Sequence, residues 1–278
     1  MSRTALFLGL SLVASLGCDR PTSPPGSSEA PARPSEPPPA SATASALSAT
    51  APASALTPAP SAGPGGAEAI VFDSDATGGP ASTFETVVGD WYVAEEVDAR
   101  GFKVDGSKWR SGTPSANLAD QAKRLYGERY AEFLDGVKAF AFYPLAIKKG
   151  EVPAGDLRVS VKFYPIAGKI DQAAGIAFGI APDGSYLGAR ANALEDNILV
   201  FQVVKGKRTV FDTIRNTPTP TRTWHTFAVE VRGKHVRVEL DGKMRFEKEY
   251  AVVRPGRVGL WSKADSQVLF DDFTVTPL

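Results

Sequence analysis

The sequence predicts an all-β jelly-roll sandwich over residues 67–278, and three observations predict it. Apolar and polar residues alternate with period two along several segments, the signature of half-buried antiparallel strands. Short apolar runs recur at even spacing with Gly, Asp and Asn between them, as in sandwiches and jelly rolls. The roughly 210 residues carrying this pattern are enough for one β-sandwich with its own core.

The chain before them reads differently. Arg3 supplies a positive start, Ala5 to Leu16 an apolar stretch too short to span a bilayer, and Ser15-Leu16-Gly17-Cys18 a cleavage site. Residues 1–17 thus read as a signal peptide. The site resembles a bacterial lipobox, in which Cys18 is acylated after cleavage. It departs from that pattern because Leu16 stands where a small residue is usual. Cleavage after Ser15, in Val13-Ala14-Ser15, is the alternative. Cys18 is the only cysteine of the 278 residues, so the folded part can have neither a disulfide nor a thiolate metal site. From Asp19 to Gly66, 33 of 48 residues are Pro, Ala or Ser and none is aromatic. Such a stretch cannot offset its chain entropy by burial, so residues 18–66 are expected to form a disordered tether. Its reach is about 40 Å as a coil and about 150 Å as polyproline II.

Within the sandwich, Asp156 to Tyr164 alternates most cleanly: Leu157, Val159, Val161 and Phe163 against Arg158, Ser160 and Lys162. Trp224–Arg232 and Lys234–Asp241 repeat the pattern around Gly233, and Asp241-Gly242 closes a second hairpin. Further strands are expected at Val87–Ala94, Ala174–Ile180, Leu187–Ala193, Ile198–Val204, Arg208–Ile214, Arg257–Ser262 and Gln267–Thr276. One segment has helical spacing instead. Leu118, Ala122, Leu125, Arg129 and Phe133 predict an amphipathic helix near 115–137, capped by Ser115 or Asn117 and ending at Gly136.

Balanced charge, with 31 basic and 31 acidic residues, argues against a nucleic-acid partner. No phosphate-binding loop of the GxxxxGK type occurs. Three strings are distinctive: Asp171-Gln-Ala-Ala-Gly-Ile176, Arg190-Ala-Asn-Ala-Leu-Glu-Asp-Asn197, and Gly256-Arg-Val-Gly-Leu-Trp-Ser-Lys-Ala-Asp265 followed by Phe270-Asp-Asp-Phe273. With Trp224-His-Thr-Phe-Ala-Val-Glu-Val and Leu240-Asp-Gly-Lys243 they resemble the concanavalin A-like lectin/glucanase superfamily, and within it the 3-keto-disaccharide hydrolase domain. The superfamily hosts lectins, hydrolases and adhesion modules, so the resemblance implies a fold more than an activity.

If the chain is an enzyme, the resemblance implies cleavage of 3-keto-glycosides. The ketone acidifies the C2 proton, a base removes it, and the C1 group leaves. The base candidates are Glu195, Asp196 and His225. His225 shares a strand face with Phe227, Val229 and Val231, which suits the edge of a core. His235 lies with Arg237, Glu239 and Asp241 on a polar face. The two form no HxH or HExxH pair. The ExDxE string of family-16-type glucanases is absent; Glu96-Val-Asp98-Ala-Arg100 comes nearest and ends in Arg.

A ligand face needs no catalyst. Parity sends Ile176, Phe178 and Ile180 to the core and leaves Ala173, Gly175, Ala177 and Gly179 opposite. Arg190 and Asn192 share the next strand's polar side, and Trp261 falls with Arg257 and Lys263. Gln172, Arg190, Asn192, Trp261 and Lys263 are therefore the expected sugar contacts, with the indole stacking on C–H faces and the polar groups taking hydroxyls. Packing of Trp261 under the helix or an N-terminal strand is the competing reading. Asp73 and Asp271 are candidates for a structural Ca²⁺, because hard oxygen ligands suit it. The expected function is a glycan-binding module held by lipid at Cys18 in a bacterial envelope, on the periplasmic side of the inner membrane or in the outer membrane. A 3-keto-glycoside hydrolase or lyase and a purely structural envelope protein are the alternatives.

Overall fold

The computed structural model describes residues 69–96, 99–108, 123–129 and 143–278. Residues 1–17 and the whole tether, residues 18–66 with Cys18, lie outside these. Of the helix expected near 115–137, only 123–129 is described: one helical turn over 123–126, then a 3-10 turn at Gly127–Arg129.

Among the described residues, fourteen strands form two antiparallel sheets of seven. In chain order they are β1 (Phe84–Val88), β2 (Trp91–Glu96), β3 (Ala99–Asp105), β4 (Leu145–Lys148), β5 (Leu157–Ala167), β6 (Ala173–Ile180) and β7 (Tyr186–Asn192). Then follow β8 (Asn197–Val204), β9 (Lys207–Arg215), β10 (His225–Arg232), β11 (His235–Leu240), β12 (Lys243–Glu249), β13 (Arg257–Ser262) and β14 (Gln267–Pro277). The first sheet runs β1-β4-β13-β6-β7-β8-β9 and the second β12-β11-β10-β5-β14-β3-β2. Crossings such as β6 to β13 within one sheet and β5 to β14 within the other give the jelly-roll wiring that the sequence predicts.

Alternation decides what each face buries. Val159, Val161 and Phe163 of β5, Phe227 and Val229 of β10, and Phe270 of β14 meet Ile176, Leu187, Ala189, Val200 and Leu260 of the first sheet between the layers. The outer face of the first sheet is apolar as well. Val87, Leu145, Ile147, Ala177, Tyr186, Leu199, Phe201, Val203 and Trp261 form a second buried cluster, and Leu125, Tyr126 and Tyr143 pack on it. This sheet is therefore covered on both sides, which explains the uninterrupted burial of β6 and β7.

Three expectations change. The strand expected at Val87–Ala94 is two strands, β1 and β2, in different sheets, separated at Gly89, which has φ +88°. Ile180 belongs to the outer cluster, not the inner core. Gly179 has φ +59°, and the pairing of β6 with β13 shifts there, so the bulge flips the residue after it. β3, β4 and β12 carry no clear alternation and had no predicted strand.

Candidate functional site

The three distinctive strings meet at one end of the outer face of the first sheet. Pairing aligns Trp261 with Gly175 and Gly175 with Arg190, so the three lie in one row across β13, β6 and β7. The next row brings Ala173 beside Asn192 and Asn192 beside Asn197. Gly175 is the enabling residue of the first row. A Cβ there would come within 2.8 Å of the Arg190 Cβ and 2.6 Å of the Ala189 carbonyl.

Two loops fix the acidic partner. Asp265 accepts hydrogen bonds from the backbone N–H groups of Lys169 (2.7 Å), Ile170 (3.0 Å) and Asp171 (3.0 Å), tying the β13–β14 turn to the segment before β6. Although burial pushes the Asp265 carboxyl up, these N–H donors hold it below the usual carboxylate range. Ser266 Oγ accepts from the Ala173 N–H at 3.0 Å and donates to the Lys263 carbonyl at 2.6 Å. Asp171 and Lys263 are thereby brought face to face, with the Lys263 ammonium 2.5 Å from Asp171 Oδ2.

Around this pair lies a closed polar network. Asn192 Nδ2 donates to Asp171 Oδ1 at 2.8 Å, while its Oδ1 accepts from the Gln172 and Leu194 N–H groups. Arg190 donates to Asn197 Oδ1 and, at 2.6 Å, to Glu195 Oε2; Asn197 Nδ2 donates to the same Glu195 oxygen at 3.1 Å. Gln172 donates to the Gly168 carbonyl and accepts from Thr221 Oγ1 at 2.7 Å. Asp171, Arg190 and Asn192 are fully buried, whereas the Glu195 side chain is 41 % exposed and that of Lys263 25 %. The network thus exposes the Glu195 carboxylate and the Lys263 ammonium and keeps their counter-charges, Arg190 and Asp171, behind them.

Burial raises the Asp171 carboxyl, and Lys263 and Arg190 reverse only part of that rise. Burial likewise pulls the Arg190 guanidinium down, against the opposing pull of Glu195. The Glu195 carboxyl is pushed up by partial burial but held below its ordinary range by the Arg190 hydrogen bond and charge. Arg190 Nε is buried without a hydrogen-bond partner among the described residues.

Of the expected sugar contacts, Gln172, Arg190, Asn192 and Lys263 converge here. Trp261 lies in the adjoining row but is no exposed platform. It has no solvent exposure, its Nε1–H donates to Tyr186 Oη at 2.9 Å, and its ring packs on Tyr143 (5.5 Å) and Phe201 (4.8 Å). Parity placed it on the outer face correctly; a third layer covers that face. Asp171 and Asn197 were missed as site residues. Asp171 heads the first distinctive string, and Asn197 stands opposite Asn192 across the β7–β8 hairpin, which is the signal available.

The base candidates fare differently. Glu195 is Arg190's partner, and Asp196 is an exposed hairpin residue with φ +46°. His225 sits at the edge of the core against Phe163, with Nδ1 2.9 Å from Asp241 and Nε2 3.0 Å from the Pro220 carbonyl. Both ring nitrogens are engaged, so it is not a free base. Asp73 and Asp271 do line one cavity, but Arg100 and Lys162 line it too. Two carboxylates facing two cations do not fit a Ca²⁺ site, and no group of three or more His, Cys, Asp or Glu suited to a metal occurs among the described residues.

A larger cavity of about 740 Å³ lies at the opposite end of the same sheet, lined by Glu85, Arg124, Tyr126, Lys149, Pro153 and Arg257 among others. Arg257 is committed there to the Leu125, Lys148 and Gly150 carbonyls, and Glu85 to Arg124 at 3.2 Å. This is a seam where loops dock on the sheet.

No protein-family model matches the chain, and no curated protein matches it. Solved structures similar to it include the carbohydrate-binding module CBM66 from Bacillus subtilis, at 15 % identity and a TM-score of 0.49, over 70 % of this chain and 95 % of that one. A Bacillus subtilis protein of unknown function with a galectin-like fold is similar at 12 % identity and 0.44, over 69 % and 87 %. A Caenorhabditis elegans galectin is similar at 12 % and 0.35, over 43 % and 82 %.

Proposed function

We propose that the sandwich binds a glycan at the Asp171–Arg190–Glu195–Lys263 cluster, and that a lipid on Cys18 holds it in a bacterial envelope. One observation carries the glycan reading: a buried, hydrogen-bonded set of charges opens to solvent through a single carboxylate and a single ammonium. Buried ion pairs are poor stabilisers compared with apolar packing, and this sheet already has an apolar outer layer. A preorganised acceptor and donor that feel each other's charge suit the hydroxyls of a sugar, and Arg190 behind Glu195 and Asp171 behind Lys263 keep both from swinging. The anchor rests on the sequence, where the sole cysteine follows an apolar stretch directly.

A glycan array of neutral and acidic oligosaccharides probed with the full chain is the test. Glu195→Gln keeps the shape and removes the acceptor charge, and should weaken the best ligand at least tenfold while leaving the fold intact. Unchanged affinity would remove Glu195 from the site.

The enzyme reading keeps one support, the raised carboxyl of Asp171, since perturbed groups gather at catalytic sites. Asp171 has no solvent exposure, however, and Glu195 is held ionised by Arg190, which makes it a weak base. Release of the leaving sugar from a 3-keto-disaccharide, absent in Asp171→Asn, would favour that reading over simple binding.

A further inference from the structure

The outer face of the second sheet holds a smaller cavity, about 320 Å³, lined by Asp73, Ala99, Arg100, Lys162, Trp224 and Asp271. Its floor is set by register. Lys162 pairs with Asp271 on one side and with Thr226 on the other. β3 pairs with β14 at Phe102–Phe270, which places Gly101 beside Asp271; a Cβ on Gly101 would meet the Phe270 carbonyl at 2.5 Å. Glycine there lets the backbones of β3 and β14 approach closely next to Arg100 and Asp271. The aromatic wall of the cavity is Trp224, half-buried, with its ring 5.4 Å from that of Tyr164 and both packed against Ala94, Ile166 and Leu269. The indole is therefore held in place before any ligand arrives.

We infer that this cavity is a second sugar site, taking one neutral pyranose ring against Trp224. Charge decides the class of ligand. An anion would meet Asp73 and Asp271, and a cation would meet Arg100 and Lys162. A polyol satisfies both signs, because each hydroxyl donates and accepts. The aromatic wall selects a ring with an apolar C–H face over an open polyol. The volume lies at the lower end of the roughly 300–1,000 Å³ usual for ligand pockets, which suits a single ring. Arg100 is fixed by Glu95 and by the Phe72 and Asp75 carbonyls, and Lys162 by Asp272 at 2.6 Å, so the polar rim is preorganised. Burial and the neighbouring Asp272 and Asp73 push the Asp271 carboxyl up to about 6, against the Asp272 N–H and Lys162, so it is mainly an acceptor at neutral pH and gains a donor form in mild acid. The inference extends the sugar-binding reading to another surface without using the residues of the first site.

Saturation-transfer NMR with methyl α-glucoside, galactoside and mannoside, and with glycerol as the open-chain control, tests it on the full chain. At least one hexoside should receive saturation, and glycerol should not. Transfer should persist in Glu195→Gln, which disables the first site, and in that background should fall at least tenfold when Trp224→Ala is added. Asp73→Ala, at a highly exposed side chain, guards against a folding defect and should weaken binding severalfold. In the Glu195→Gln background, hexoside binding that survives both Trp224→Ala and Asp73→Ala overturns the second site, as does its absence from the unaltered protein. Binding lost only in Glu195→Gln overturns it while supporting the first site.

Discussion

Lys263 is the residue on which the buried charge of the first site turns. Its ammonium is the nearest cation to a carboxylate with no solvent exposure. Burial holds the Asp171 proton affinity above its unfolded value, so the folded chain keeps that proton over a pH range in which the unfolded chain has lost it. Asp171 therefore weakens the fold progressively as pH rises from the ordinary carboxylate range through its raised one. Lys263→Met should widen that window, costing about 3 kcal/mol at pH 7 and clearly less at pH 5, where Asp171 is more protonated. Adding Asp171→Asn should restore most of the loss. Denaturant unfolding at the two pH values checks this, and an equal loss at both would mean that packing, not charge, sets the role of Lys263. Strand parity alone makes Arg190 and Asn192 neighbours on one face. It could not show that Asp171 lies behind them, because a loop clamped by Asp265 places it, and loop geometry leaves no periodic trace.

At the scale of elements, the outer layer of the first sheet is the main departure from what alternation implies. A strand buried on both faces reads as continuous apolar or small residues; β6 does so throughout, and β7 does so from Tyr186 to Ala189, before Arg190 and Asn192 interrupt it. The sequence was legible there as strand but not as doubly covered. Trp261 shows the consequence. Read as a solvent-facing platform, it would lose ligand and little stability on truncation. Packed between Tyr143 and Phe201, Trp261→Ala should instead cost about 3–5 kcal/mol. Trp261→Phe should recover part of this and leave Tyr186 Oη without its indole donor. Urea unfolding of the three proteins is the measurement; a loss under 1 kcal/mol for the alanine variant would mean the layer is loosely held. Strands β3, β4 and β12 escaped notice for local reasons. β4 has four residues, three of them buried, β3 is broken by Gly101, and β12 is a charged edge strand with both faces largely exposed.

For the whole molecule, the sandwich and the segment before it obey different physics. The sandwich closes its own core from residue 70 onward, where Ile70 pairs with Phe273 and Phe72 packs among Phe84 and Phe102. Residues 19–66 have the composition of a chain that buries nothing. A protein beginning at Ala67 should therefore melt within a degree or two of the full chain, as read by thermal unfolding. A drop of several degrees would show that the earlier residues contribute to the fold. Attachment is a separate quantity, and in the proposed reading it depends on acylation of Cys18. Acyl chains contribute about 0.8 kcal/mol per buried CH₂, so several of them hold a protein on a membrane where no polypeptide span is needed. Cys18→Ser expressed in a bacterial host should move the protein from the membrane fraction to the soluble envelope fraction with its melting temperature unchanged. Metabolic labelling with a fatty acid should mark the unaltered chain and not the variant. Retention of Cys18→Ser on the membrane would place the attachment in some other part of the molecule.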